Sequence, residues 1–562
     1  MARLQDFDAD HPRGAGGRGI VMRSLRGGDF WGGLPKRKIL LSSVVRNRVS
    51  ADGALALGAS YLTGSVGTAD RPAATSVLVR RHPRDRIVNV WLILIVLVGA
   101  MITVADGLTR VSIFDREEAW NGPFEYVPYQ GAFLFAGLTL PLMIGYARKA
   151  RVALTEGLFL WFVFCTTAYT KDFSYIRWPG TPLFITDVVL LVLLVSIYLL
   201  RRPRFSKIPL PATVLLVLFF GAGALSAARG LWGHHDAMVV LRDSALVVYT
   251  LFLLVGYQLS RSWLSIKRVA VWFLLGSGLG ALNGFAWFIA SPQERRFIFY
   301  GINILISLAG TIIAMASRLL RPRVGWIFVC VLCLGLILAN ARSLFVSLAI
   351  LLLVALLGGR FVYKNLRLAH LVSIFVTTVA MVTLVAFLFL RTEVGRDFAE
   401  RSADELASGV LNSSEDTNWQ FRLSAWKEAW RRFAEYPLGG EGFGVPFTFE
   451  GLLLENDPRP HNTFLTMLYK MGLAGFLPFV ALLIYPPWKG LYSLRRHNES
   501  RHITFLQIVL LAQASYCIYG IANLLLESPF LASLFWASMG LGLRIIRMLY
   551  LDRSLPLTYS AG

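Results

Sequence analysis

The chain has 562 residues, 55% of them hydrophobic and only 16% charged, which is far more apolar than a soluble domain. Its formal net charge of +22 would suit nucleic acid in a soluble protein, but here the lysines and arginines sit mostly in short loops between apolar runs and in the N-terminal tail. The orientation rule for membrane proteins and attraction to anionic lipid account for that distribution, so membrane lipid is the expected partner and nucleic acid is not.

Residues 1–86 are rich in Gly, Arg and Ser and show no sustained apolar period. The segment is too long and too polar for a signal peptide, and a basic, disordered cytoplasmic tail is expected. Its Lys36-Arg37-Lys38 and Arg80-Arg81 clusters suit contact with anionic lipid. From residue 87 to 550 apolar runs recur, each about as long as a bilayer-crossing helix requires. They are continuous rather than alternating, and backbone groups in lipid need internal partners, so the fold class is an all-α polytopic membrane protein. About fourteen spans are expected, twelve to fourteen being compatible with the pattern. They fall near 87–108, 127–147, 152–170, 183–200, 208–227, 239–259, 269–290, 298–317, 324–340, 343–359, 369–390, 464–488, 503–523 and 530–547. Residues 551–562 form a short C-terminal tail.

Counting Lys and Arg in the short loops gives 20 on one side and 8 on the other. The richer side is expected to be cytoplasmic, which puts both termini inside and the long polar segment 391–463 outside. The four cysteines (Cys165, Cys330, Cys333 and Cys517) fall inside expected spans. The Cys330-x2-Cys333 pair has no His or second Cys pair beside it, so it reads as small apolar packing. His234-His235 has no third ligand in its neighbourhood.

The 391–463 segment is a polar island. Trp419, Leu423, Trp426, Trp430 and Phe433 recur at helical spacing and make one apolar stripe, flanked by Arg422, Lys427, Arg431 and Arg432. Such a helix is expected to lie along the membrane–water interface or to pack on the span bundle. Pro437 and the glycines at 439, 440, 442 and 444 end it in a tight turn. That turn lacks the Gly-Lys-Ser/Thr ending of a nucleotide phosphate loop. Other ionisable residues gather near the same membrane face: Asp187, Arg229, Asp236, Arg242, Asp243 and Glu527, with Arg342 in the turn Asn340-Ala341-Arg342-Ser343. Arginine binds phosphate bidentately, so several around an interfacial cleft suit a lipid-linked phosphate or pyrophosphate; ion pairing, such as Arg242 with Asp243, is the structural alternative. His461 follows Pro458-Arg459-Pro460 at the entry to the next span and is a candidate general base.

Pro460-His461-Asn462-Thr463-Phe464-Leu465, followed by Gly472 and Gly475, resembles the His-Asn-x9-Gly-x2-Gly signature of the bacterial O-antigen ligase and polymerase superfamily. The preceding Arg422, Trp426, Pro437-Leu438-Gly439, Gly442 and Gly444 are similar to the segment before that His. Asn340-Ala341-Arg342-Ser343 resembles the family's short outer Ser-Arg-Gly turn, with Ala for Ser and Ser for Gly. The resemblance covers roughly 130–545, with its strongest motifs between 340 and 475. It implies an inverting membrane glycosyltransferase of the bacterial inner membrane whose donor is a glycan on undecaprenyl pyrophosphate. By the same implication Arg342 and Arg422 hold the pyrophosphate, His461 takes the proton of the acceptor hydroxyl, and Asn462, Trp426 and Arg242 complete the substrate-contacting set. No cofactor, nucleotide sugar or metal is implied. The acceptor is lipid A–core for a ligase or a lipid-linked repeat unit for a polymerase, and polysaccharide-assembly proteins are candidate partners. Two other readings stand beside this one: a transporter or flippase of lipid-linked sugars, which needs a polar path at mid-membrane depth, and a non-catalytic partner in a polysaccharide-assembly complex.

Overall fold

The structure is a computed structural model. It describes residues 83–110, 130–177, 183–201, 206–293, 297–298, 300–341, 343–344, 346–348, scattered positions from 376 to 403, 417–449, 459–496 and 501–554. The expected tail up to residue 82, most of the expected spans 343–359 and 369–390, and Arg342 lie outside the described residues.

Among the described residues every regular element is a helix, and one isolated bridge joins Arg177 to Phe184. In chain order these are α1 (Pro83–Thr109), α2 (Gln130–Lys149), α3 (Leu154–Ser174), α4 (Ile185–Arg201), α5 (Leu210–Trp232), α6 (Ala237–Val248), α7 (Leu251–Leu259), α8 (Trp263–Ala290), α9 (Ile302–Ala316), α10 (Pro322–Ala339), α11 (Thr417–Glu435), α12 (Thr463–Arg496), α13 (Arg501–Ile521) and α14 (Pro529–Ser554). Among the described residues nine stretches are long and apolar enough to cross a membrane, α6 and α7 together forming one of them, and two shorter apolar helices accompany them. The chain is a multi-pass helical membrane protein. Proline starts α1, α10 and α14, where its missing N–H costs no helical hydrogen bond.

The bundle is arranged around α14, whose apolar window is 94% buried, whereas that of α1 is only 17% buried. α14 packs on α7, α13 and α12, and α8 packs on α1, α3 and α10. α12 lies against α5 on one side and carries α11 on the other. One end of this bundle matters most for chemistry. The Tyr300 ring meets that of Phe530 there, the N–H of Phe297 donates to the Leu338 carbonyl, and Arg401 from the 391–463 segment donates to the carbonyls of Pro292 and Gln293. The ends of α8, α9, α10 and α14 therefore converge at the end where the polar segment is attached.

Candidate active site

The apolar run from Thr463 reads as one uninterrupted helix, yet α12 breaks at Gly472, where φ is 58° and ψ is −165°. A break inside an apolar helix frees backbone donors and acceptors that lipid cannot satisfy. The glycine-rich turn fills it. The N–H groups of Glu441 and Gly442 donate to the carbonyls of Tyr469 (2.7 Å) and Lys470 (3.1 Å). The N–H groups of Leu473 and Ala474 donate to the carbonyls of Pro437 (2.8 Å) and Leu438 (3.0 Å). Gly440 (φ 68°) and Gly472 face each other across this exchange. A Cβ on Gly440 would strike the Lys470–Met471 backbone, and one on Gly472 would strike Leu438 and the Gly440 nitrogen. Side chains then pin the turn: Arg229 donates to the Gly440 carbonyl, and Asp243 accepts from Gly444 N–H at 2.8 Å while pairing with Lys470. The acid next to Arg242 in sequence is thus committed to Lys470.

The docked turn fixes the start of α12, where His461 lies. His461 has φ of 49° and is half-buried. Asn462 is the N-cap of α12, its Oδ1 accepting from the N–H groups of Phe464 (3.0 Å) and Leu465 (3.1 Å). The Asn462 side chain therefore orients His461 through the helix start. Thr463 Oγ1 accepts from Leu525 N–H at 2.9 Å and so holds the 522–528 connection against the same point.

α11 lies over this turn. The sequence singles out its Trp stripe, but the face that packs inward is a different one. Ala425, Ala429 and Arg432 are buried, and the two alanines join Phe447 and Tyr469 in a small apolar cluster. Trp430, Leu423 and Trp419 are exposed, at 57%, 40% and 37%. Small side chains allow α11 to approach the site closely, and Trp419, Leu423 and Trp430 are left on the outside while Trp426 and Phe433 stay half-buried. Arg432 holds the helix down, donating to Glu428, Glu441 and the carbonyls of Pro446 and Thr448.

Two contacts join α11 to the His461 turn. Trp426 Nε1 donates to the Pro460 carbonyl at 2.8 Å, and the Phe421 ring meets the His461 ring edge-on at 5.9 Å. Arg422 falls between them in sequence and is half-buried. The fold thus brings Trp426, His461 and Asn462 to one place, with Arg422 on α11 one turn before Trp426. Arg342 lies outside the described residues. Arg242 sits elsewhere, with its guanidinium 4.0 Å from the Phe184 ring centroid and one buried Nη atom without a hydrogen-bond partner among the described residues.

Glu527 belongs to this place as well, although the sequence marks it only as one of several acids near a membrane face. Both its carboxyl oxygens are buried without a geometric hydrogen bond among the described residues. Arg459, Thr466, Lys470 and His461 are the groups that bear on it. The Thr466 hydroxyl is engaged with the Asn462 carbonyl at 3.0 Å. Burial raises the Glu527 pKa above the ordinary carboxyl range, against the pull of Arg459, Lys470 and His461. The available signal in the sequence was an acid alone in a short connection free of Lys and Arg. Among the described residues, no group of three or more His, Cys, Asp or Glu side chains converges on one point.

The arrangement joins a candidate base, a cation and a buried acid on rigid supports. Comparison with known proteins places a family across it: residues 326–480 match the model of the O-antigen ligase family. The matched segment contains Arg342, Arg422, Trp426, His461, Gly472 and Gly475. No curated protein matches the chain. The similarity to the O-antigen ligase family spans under a third of the chain, and it supports the O-antigen ligase and polymerase superfamily.

Proposed function

We propose that this chain is a member of that superfamily and transfers a glycan from undecaprenyl pyrophosphate to an acceptor hydroxyl, at the periplasmic face of the bacterial inner membrane. The anomeric carbon–oxygen bond to the pyrophosphate breaks, and the acceptor oxygen forms the new bond from the opposite face, inverting the configuration. His461 receives the hydroxyl proton. Arg422 and Arg342 neutralise the charge that develops on the leaving pyrophosphate, a task for which the planar guanidinium fork is suited and which needs no metal in this reading. Asn462 and Trp426 set the position of His461, and the unpartnered Arg242 nitrogen is available to a substrate anion. The exposed Trp419, Leu423 and Trp430 lie along the membrane surface, where aromatic rings are favoured.

The observation that carries this reading is the seating of the Arg422 segment on the His461 turn through the Trp426–Pro460 and Phe421–His461 contacts. The test is glycan transfer by purified variants in lipid. His461→Ala is expected to insert normally and to lose transfer. Arg422→Lys is expected to fail too, because an ammonium cannot form the bidentate fork. Full transfer by either variant removes the role given to that residue. Gel profiles of surface glycan in a deletion strain separate the two acceptors. Loss of long chains from lipid A–core with lipid-linked polymer accumulating marks a ligase, and single repeats only mark a polymerase.

A further inference from the structure

A second polar site lies where α1, α3, α8 and α9 meet, at the same end of the bundle. It is a pocket lined among others by Arg110, Tyr169, Lys171, Asp172, Asn283 and Asn303. Its wall is built and rigid. Arg110 bridges Asp106 and Asp172, and Asn283 donates to Asp106 (3.0 Å) and to the Thr103 carbonyl (2.8 Å). The backbone of α3 leaves helical geometry at Thr170, with φ of 43° and ψ of −112°, between two of the lining residues.

Two donors in this wall are unanswered. Tyr169 is 4% exposed and its hydroxyl, which lies among Asp106, Arg110 and Asp172, has no hydrogen-bond partner among the described residues. Asn303 is 1% exposed; its Oδ1 accepts from the Tyr516 hydroxyl at 2.7 Å, but its Nδ2 donates to nothing among the described residues. Buried donors without partners are rare and ask for a ligand or ordered water. The charges restrict the ligand. Among the described residues the lining cations Arg110 and Lys171 are matched in number by Asp172 of the lining and by Asp106, which pairs with Arg110 from behind it, so these side chains leave no surplus for an anion or a cation. A neutral molecule rich in hydroxyls matches, since each hydroxyl accepts from an amide or phenol and donates to a carboxylate.

We propose that this pocket binds a neutral saccharide unit of the glycan that the enzyme handles. The proposal rests on the glycan-transfer reading for its ligand and on the pocket for its location. The probe is the oligosaccharide repeat released by mild acid from the host's own surface polysaccharide, titrated calorimetrically into the full-length protein in lipid nanodiscs. Tyr169→Phe removes one hydroxyl and keeps the ring. Asn303→Asp keeps an oxygen for Tyr516 and replaces the amide donor with a negative charge. Each is expected to weaken binding about five-fold or more, the worth of one hydrogen bond, and Tyr169→Phe, which buries no new charge, is expected to do so without lowering the thermal midpoint. Inorganic pyrophosphate is expected not to compete. In transfer assays the same variants raise the KM of one substrate: the donor if the pocket serves the donor glycan, the acceptor if it serves the acceptor.

Saccharide binding that depends on Tyr169, in a protein showing no transfer, would uphold the pocket and defeat the transferase reading. Transfer with wild-type affinity and KM in Tyr169→Phe and Asn303→Asp would overturn the pocket and leave that reading standing. Absence of saccharide binding, or competition by pyrophosphate, would also overturn it, the first leaving water as the occupant.

Discussion

Replacing Gly472 with Ala tests the docking of the glycine turn into the break of α12. At φ 58° and ψ −165° an L-residue is strained by about 1–3 kcal/mol. The new methyl would also strike Leu438 and the Gly440 nitrogen, so the turn has to withdraw. Withdrawal threatens the four backbone hydrogen bonds made by Glu441, Gly442, Leu473 and Ala474, each worth about 1 kcal/mol net in water and more where water cannot replace it. Even with half of them retained, the loss amounts to about 3–5 kcal/mol. Gly475→Ala is the comparison, because its methyl strikes Met471 at Cβ as well as at the mobile end of that side chain but meets no other segment and needs no left-handed backbone, and a cost of about 1–3 kcal/mol is expected. Thermal unfolding of both variants in lipid nanodiscs, with transfer assayed on the same samples, reads the difference. Gly472→Ala should lower the midpoint well below Gly475→Ala and abolish transfer by displacing His461. A Gly472→Ala protein with the wild-type midpoint and activity would refute the argument.

Other perturbations read other parts of the site. Trp426→Phe removes the hydrogen bond to the Pro460 carbonyl and keeps the ring, so a stability loss of about 0.5–1.5 kcal/mol and a fall in kcat larger than any change in KM are expected; unchanged kinetics would show that His461 needs no such brace. Glu428, held at about 2 by Arg431 and then Arg432, contributes stability that is present above the ordinary value of 4.5 and lost as pH falls from there toward 2. Glu428→Gln should erase that dependence in hydrogen exchange of α11, and an unaltered acid profile would count against the pairing. Glu527, whose pKa is raised by burial, has the opposite sign: its ionisation costs stability that is not felt below 4.5 and grows as pH rises toward its folded value. Thermal midpoints of Glu527→Gln should therefore pull ahead of wild type with rising pH, and a constant gap would show that Glu527 is not buried as described.

Local pattern made much of this legible. The apolar runs announced the spans, and the helical spacing of Trp419, Trp426 and Trp430 announced α11. The His-Asn pair and its following glycines mark the start of α12. What stayed hidden depends on contacts between distant segments. The run after Thr463 carries glycines and the prolines Pro478, Pro486 and Pro487, both of which membrane helices tolerate, and none of them singles out residue 472 as the break. The inward face of α11 was missed because its contacts are made by Ala425 and Ala429, which a hydrophobic stripe ranks below tryptophan. The partner of Asp243 proved to be Lys470, more than two hundred residues away, rather than the adjacent arginine. Asp106, Arg110 and Asp172 become a cluster only when α8, packed on both α1 and α3, holds their ends together.

The interrupted α12 has a consequence for how the molecule is made. A ribosome delivers residues 437–444 before it delivers 469–474, so the plug exists before the gap it fills. The second half of the span need never wait in lipid with bare amides, because its hydrogen-bonding complement is already threaded and within reach. Exchanging the order of the two segments by circular permutation would leave the same contacts available at equilibrium but remove this priority. Biogenesis would then depend on the broken span surviving, for the interval of synthesis, in a solvent that offers its backbone nothing.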